Sequence, residues 1–273
     1  GCVDKNGNEI NRNRLVALAS LIALENNEGG TIVTDSVTST GLTEFINSDL
    51  DGVHYRFKRG YRNVINEQLR LNGEGINCPL AMETSGHAAF RDNYYLDDGA
   101  YLMTKIIIKM AQMGKEGKTL DSLIANLKDP AEEAELRFKI KCDDFRSYGN
   151  KVIAELQTYA ENQSDMRIAD DNREGIRIYF DADDEKGWLL LRLSVHDPIM
   201  PLNIESDING GNYKIVKKFY TFIKDYVGLD LNAIENIITK TLSIKKPFLF
   251  LLYSIIRLIY FRPFSLNTLQ SNV

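Results

Sequence analysis

The sequence predicts an α/β domain with a mostly parallel sheet, followed by a smaller α+β domain. Three observations lead there. Over residues 1–128, short apolar runs alternate with stretches of helical period, the pattern of parallel strands joined by crossover helices. From about residue 129 the order becomes one strand, one long helix, several adjacent strands and a further helix. The 273 residues are 44% apolar and 26% charged, which is ordinary globular composition with room for two domains.

Asn11 is placed to cap a helix carrying Leu15, Val16, Leu18, Ala19, Ile22 and Leu24, and Asn27-Glu28-Gly29-Gly30 ends it. Thr31 to Thr34 reads as a short buried strand, followed by a helical stretch over Ser39–Ile46. Val53, Tyr55 and Phe57 alternate with His54 and Arg56, the period of a strand. Gly60 breaks that pattern, and helical spacing resumes at Val64, Ile65, Leu69 and Leu71. Pro79–Met82 is a further strand, and Asp98 caps a helix with Leu102, Ile106, Ile107 and Met110 as its apolar positions. The polar segment Lys128-Asp129-Pro130-Ala131 is the expected linker, dividing a unit at 1–128 from one at 129–238.

In the second unit, Leu136, Phe138 and Ile140 alternate as a strand, and a long helix runs over Asp144–Glu161. Ile176–Phe180 and Gly187–Arg192 are strands joined by the acidic turn Asp181-Ala182-Asp183-Asp184. Gly210-Gly211 opens a helix with Ile215, Val216, Phe219, Phe222 and Ile223. Residues 239–273 form an apolar tail, densest over Phe248–Phe261. That run falls short of the roughly 18–20 residues a bilayer-spanning helix requires, so no membrane partner is expected. A partner-packing helix and a non-native extension are both open readings of it.

A net charge of −5 argues against nucleic acid as the main partner. The three cysteines, Cys2, Cys78 and Cys142, include no CxxC pair, so they suggest neither a disulfide framework nor a thiolate zinc site and fit reduced thiols in a cytoplasmic protein. The start, Gly-Cys-Val-Asp without Met, reads as an internal cut. Asp4-Lys5-Asn6-Gly7-Asn8 resembles a calcium loop only faintly, because Glu9 stands where that loop needs Gly; a hairpin turn is expected.

Three constellations carry chemistry. Glu83-Thr84-Ser85-Gly86-His87 directly follows a strand. A carboxylate accepts hydrogen bonds from two vicinal sugar hydroxyls, a serine hydroxyl both donates and accepts, and α/β sheets bind ligands at the carboxyl ends of their strands. A polar turn is the alternative for this segment. Arg192-Leu193-Ser194-Val195-His196-Asp197-Pro198 offers a guanidinium fork suited to phosphate, with Ser194 and His196 as further donors; an arginine on a strand edge before a proline turn is its alternative. Lys58-Arg59-Gly60-Tyr61-Arg62 sets three cations around a glycine bend, either a solvated run or a phosphate-steering group.

Together these residues resemble the α-D-phosphohexomutases of the phosphomannomutase/phosphoglucomutase kind over about residues 1–235. Glu83, Ser85, Gly86 and His87 match the family's sugar loop Gly-Glu-x-Ser-Gly-His, with Met82 in place of its leading Gly. Arg192, Ser194 and Pro198 match the phosphate loop Arg-x-Ser-x-Thr-Glu-Pro, with His196 and Asp197 replacing Thr and Glu. Asp97-Asp98-Gly99-Ala100 and the Lys58-x-Gly60 element also match, whereas a lysine that many members carry aligns with Val37.

The resemblance implies the third and fourth of four domains around a cleft, with Glu83, Ser85, His87, Arg192, Ser194, His196, Lys58 and Arg62 binding a phosphorylated hexose. It implies a reaction that interconverts hexose 1-phosphate and hexose 6-phosphate, of mannose or glucose, through a phosphoserine, Mg2+ and a hexose 1,6-bisphosphate intermediate. Neither the serine loop Thr-x-Ser-His/Asn-Asn-Pro nor the metal loop Asp-x-Asp-x-Asp-Arg occurs in the 273 residues. The catalytic serine, the metal ligands and the N-terminal domains are therefore expected in a longer parent, and this chain alone is expected to be inactive. The alternatives are a naturally truncated, non-catalytic sugar-phosphate-binding protein and a phosphoglucosamine-type mutase parent.

Overall fold

The computed structural model describes residues 2–239, so Phe248–Phe261 lies outside the described residues. The chain opens with a hairpin of β1 (Cys2–Val3) and β2 (Glu9–Ile10). The Asp4 carboxylate accepts from the main-chain N–H of Asn6 and of Asn8, both at 2.8 Å, closing the turn that the Asp4–Asn8 pattern predicts. Asn11 does not cap the next helix: its amide donates to Glu9 at 3.1 Å, leaving Arg12 at the N-cap without a side-chain bond.

The first sheet has the order β4 (Val53–Phe57), β3 (Thr31–Asp35), β5 (Leu80–Met82), β6 (Ala88–Phe90). The β4–β3 and β3–β5 pairs are parallel and β5–β6 is antiparallel, a mostly parallel sheet. Helices cover both faces, which is why β3 is buried along its whole length rather than alternating. Helices α1 (Asn13–Leu24) and α4 (Gly99–Lys115) enclose Ile32, Leu80 and Met82 on one face. Helix α3 (Tyr61–Gly73) packs Val64 and Leu71 on Val33 and Ala81 on the other.

Helix α2 (Thr40–Glu44) starts at Ser39, whose Oγ accepts from Leu42 N–H at 3.0 Å, and runs on as a π-helical turn, Phe45–Asp49. Asp98 caps α4 through the N–H groups of Ala100 and Tyr101. Of the expected apolar stripe of α4, Leu102 and Ile106 are buried but Ile107 and Met110 are not, because the helical period carries those two to the outer face. A short α5 (Leu120–Leu123) leads into the second domain.

The second sheet is antiparallel, ordered β7 (Glu132–Lys139), β11 (Ile199–Ser206), β10 (Gly187–Leu191), β9 (Ile176–Phe180), β8 (Arg167–Ile168). Helices α6 (Phe145–Glu161) and α7 (Gly211–Ile223) cover one face, burying Phe138, Ile178, Leu189, Leu202 and Phe219 in a separate core. Alternation sends the intervening residues to the opposite face: Glu133, Glu135 and Arg137 of β7, Arg177 of β9, Trp188 of β10, and Asn203 and Glu205 of β11. This polar face meets the carboxyl ends of the first sheet, and the cleft lies between them.

Candidate functional site

The parallel strands β4, β3 and β5 end at one rim, where ligands of α/β sheets bind. Asp35 closes β3, Lys58 and Arg59 follow β4, and the loop Glu83–His87 follows β5. The last of these is a tight turn. Glu83 N–H donates to His87 O and Gly86 N–H to Glu83 O, both at 2.9 Å, with Gly86 at φ 99°. Glu83 is 4% exposed, and its Oε1 accepts from Gly60 N–H at 2.6 Å, tying this turn to the one after β4. Thr84 donates through N–H (3.2 Å) and Oγ1 (2.9 Å) to the wholly buried Asp35 carboxylate. Burial pushes Asp35 up to about 6. His87 Nδ1 lies 2.7 Å from Asp97 Oδ2, and its ring stacks on Tyr61 with centroids 5.2 Å apart.

A cleft of about 530 Å³ opens beside this turn. Arg12, Val37, Arg59, Thr84 and Ser85 line it from the α/β domain. Glu135, Arg137, Trp188, Asn203 and Glu205 line it from the outer face of the second sheet. Arg12 holds φ 49°, a left-handed value a non-glycine residue rarely adopts, and pairs with Glu133 at 3.3 Å. Arg137 pairs with Glu135 at 2.6 Å. Glu205 accepts from Trp188 Nε1 at 2.9 Å, and burial pushes it up to about 7.

Beneath the cleft the domains are joined through two buried arginines. Arg56 donates to Ser39 O and to Asp171, each at 3.0 Å. Arg177, on β9, donates from one nitrogen to Ser36 O and Thr38 O at 3.1 Å and lies 3.6 Å over the Trp188 ring. Burial lowers its pKa to about 9. The third histidine, His54, bridges Thr34 and Thr43 hydroxyls at 2.8 Å each; burial holds its pKa well below the ordinary value, so it is a neutral structural group.

The sequence-nominated residues separate in space. Ser85 lines the cleft, and Glu83 lies just behind it. Arg192, at the end of β10, is buried. Burial lowers its pKa, and its electrostatic neighbours are Glu174, Arg59, Glu135 and Asp35. Its Nε has no hydrogen-bond partner, so donor capacity stays unspent. Ser194 Oγ accepts from Asp197 N–H at 3.3 Å, and His196 is exposed. Lys58 and Arg62 are exposed and are not among the residues lining the cleft. Asp35, Arg137 and Asn203 were not singled out in the sequence, and Arg59 only as one of the three cations around Gly60; the alternation of β7 and β11 was the available signal for Arg137 and Asn203.

Residues 11–130 match the family model described as phosphoglucomutase/phosphomannomutase, alpha/beta/alpha domain III. The first domain of this chain is therefore a phosphoglucomutase/phosphomannomutase domain III. It is 26% identical over 225 residues to a phosphomannomutase/phosphoglucomutase of Pseudomonas syringae pv. tomato, covering 82% of this chain and 44% of that protein. It is 27% identical to a Neisseria gonorrhoeae phosphoglucomutase, covering 82% of this chain and 45% of the relative. A Burkholderia thailandensis phosphoglucomutase/phosphomannomutase family structure shares the fold with a TM-score of 0.64 at 23% identity, over 81% of this chain and 43% of that one. The chain thus spans a little under half the length of the relatives it matches. Among the described residues no group of three or more His, Cys, Asp or Glu side chains converges as a metal cage, and no helix is long and apolar enough to cross a membrane.

Proposed function

We propose that this chain supplies the sugar- and phosphate-recognising half of a cytoplasmic phosphohexomutase that interconverts hexose 1-phosphate and hexose 6-phosphate. One observation carries the reading. The loop after β5, read as a sugar loop, lines the cleft through Thr84 and Ser85, and the buried Arg192 of the phosphate loop, which does not itself line the cleft, has the cleft residues Arg59 and Glu135 and the buried Asp35 as electrostatic neighbours. Ser85 and the Glu83 turn face the hexose ring, and Arg192 with Ser194 and His196 takes the phosphate. His87, Lys58 and Arg62 belong to the rim, supporting the ring or steering the anion inward.

The units at 1–128 and 129–238 act as the two jaws. The N-terminal domains of a longer parent, as partner segments of the same enzyme, carry the phosphoserine and the Mg2+ ligands on this reading. The relation to sugar phosphate and magnesium has a structural parallel: an Aspergillus fumigatus N-acetylphosphoglucosamine mutase, similar in fold at TM-score 0.50, was solved with GlcNAc-6P and magnesium. A hexose 1,6-bisphosphate is the intermediate that must turn over in this cleft.

The purified chain, given Mg2+, glucose 1,6-bisphosphate and mannose 1-phosphate, is expected to form no mannose 6-phosphate, yet to bind glucose 6-phosphate. Turnover in a sample free of host mutase defeats the division of labour; absence of binding at millimolar ligand defeats the reading of the cleft.

A further inference from the structure

Three arginines line the cleft, and their donors are committed differently. Arg12 and Arg137 form ion pairs with Glu133 and Glu135 at 3.3 and 2.6 Å. Arg59 stands 3.8 Å from Asp35 through Nε, beyond hydrogen-bond distance, with its side chain about one-third exposed (34%). Its main chain is nevertheless held firmly: N–H donates to Glu174 of the second domain at 3.2 Å, and the carbonyl accepts from Asn63 Nδ2 at 2.6 Å. The backbone is anchored where the two domains meet, while the guanidinium keeps its donors free.

The other cations of the Gly60 bend are disposed elsewhere. Arg62 turns back on its neighbour, with Nε 3.2 Å from the Tyr61 hydroxyl and the guanidinium 5.8 Å from the ring centroid. Lys58 is exposed outside the cleft. Val37, beside Arg59 on the cleft wall, brings no charge. Arg59 and the buried Arg192 are also electrostatic neighbours across the domain junction. Two like charges held close, each with unspent donors, are an arrangement that an anion between them relieves.

We propose that Arg59 is a substrate-binding and specificity-determining residue, the second guanidinium on the phosphate that Arg192 holds. This deepens the sugar-phosphate reading and rests on it. Arg59 enters from the sugar-loop side of the cleft and Arg192 from the opposite domain, so the phosphate of a bound hexose draws on both. A free hexose reaches Ser85 and the Glu83 turn without drawing on either charge. Of the three cations that the sequence sets around Gly60, Arg59 is thus the one that meets the phosphate, while Lys58 and Arg62 stay at the rim.

The chain's one tryptophan, Trp188, lines the same cleft and reports occupancy by its fluorescence. Glucose 6-phosphate and glucose are titrated into the full chain and into Arg59→Gln, Lys118→Gln and Lys151→Gln variants, the last two at exposed lysines that do not line the cleft. Arg59→Gln should weaken glucose 6-phosphate about tenfold or more, the size expected for one charge-assisted contact, and leave glucose unchanged. Lys118→Gln and Lys151→Gln should stay within about twofold, as surface charges do. The Arg59→Gln and Arg192→Ala losses should combine to less than their product, because both residues address one phosphate.

Undiminished glucose 6-phosphate binding by Arg59→Gln, or strictly multiplicative losses, overturns the assignment while leaving the sugar-phosphate reading intact. Failure of the unsubstituted chain to bind glucose 6-phosphate overturns both. Should Arg59→Gln not fold, Arg59→Lys decides: a point charge in place of a fork should cost several-fold, and wild-type affinity in that variant rejects the proposal.

Discussion

The two loops nominated for the site commit their side chains in opposite ways. The turn after β5 is satisfied before any ligand arrives: Glu83 is committed to Gly60 N–H, Thr84 to Asp35, and the turn closes through Gly86. The loop after β10 is closed through its main chain, by Ser194 N–H to Ile199 O at 3.0 Å and Arg146 to Val195 O at 2.8 Å, but leaves side-chain donors uncommitted. Arg192 has an unpartnered Nε, Ser194 and Asp197 share one long contact, and His196 is exposed. On the proposed reading, the first loop presents a fixed surface to a sugar ring and the second keeps side-chain donors for an anion. Substitutions should therefore separate them, with stability lost on one side and binding on the other.

Asp35→Ala should show the largest effect. It leaves Thr84 N–H and Oγ1 without their acceptor in a buried site, costing on the order of 3 kcal/mol in urea unfolding. A loss under about 1 kcal/mol would mean that the turn is held by the Glu83–Gly60 contact alone. The charge itself works in the other direction. Asp35 titrates near 6 when folded, above its ordinary value of 3.8, so its contribution to stability is full below about pH 4 and is lost as pH rises through about 6. Asp35→Asn should remove that part of the decline, and its Tm relative to the unsubstituted chain should rise between pH 4 and pH 7; a flat difference refutes the assignment.

Arg192→Ala should reverse the pattern, with stability changed by about 1 kcal/mol or less and glucose 6-phosphate affinity reduced about 10- to 150-fold. Equal losses of stability and binding would erase the contrast between the loops. Glu83→Gln keeps an acceptor for Gly60 N–H and should cost only about 1 kcal/mol of stability, while weakening glucose and glucose 6-phosphate alike if the carboxylate also meets the ring. His196→Ala should be the mildest, within about 0.5 kcal/mol in stability, with a modest loss of glucose 6-phosphate affinity.

Much of the fold was legible locally. The periods of 53–57, 61–73 and 145–161, the Asp98 cap and the glycine stops each depend on a window of a few residues. The misses have local causes as well. Asn11 spends its amide on Glu9, and the strand β11 was obscured by Pro201, which reads as a breaker yet sits opposite Arg137 in the β11–β7 pair. Strand β6 is three residues long and is defined by its pairing with β5 rather than by any period of its own.

By itself the sequence determined the order of elements, the two domain types and the residue kinds in both loops, because periodicity, turn chemistry and side-chain donors are properties of short segments. Which cation enters the cleft was decided only by the tertiary structure. Lys58, Arg59 and Arg62 are equivalent as charges within five residues of chain. They diverge because Gly60 turns at φ 116°, because Glu174 of the distant second domain pins Arg59 N–H, and because Asp35 is buried beside it. The same holds for the cleft floor. Glu135, Asn203 and Glu205 alternate as plain strand residues would, and became site residues because their sheet face packs against the strand ends of another domain instead of water. Contacts separated by more than a hundred residues of chain, such as Arg59–Glu174 and Arg177–Ser36, carry that decision, and no local pattern encodes them.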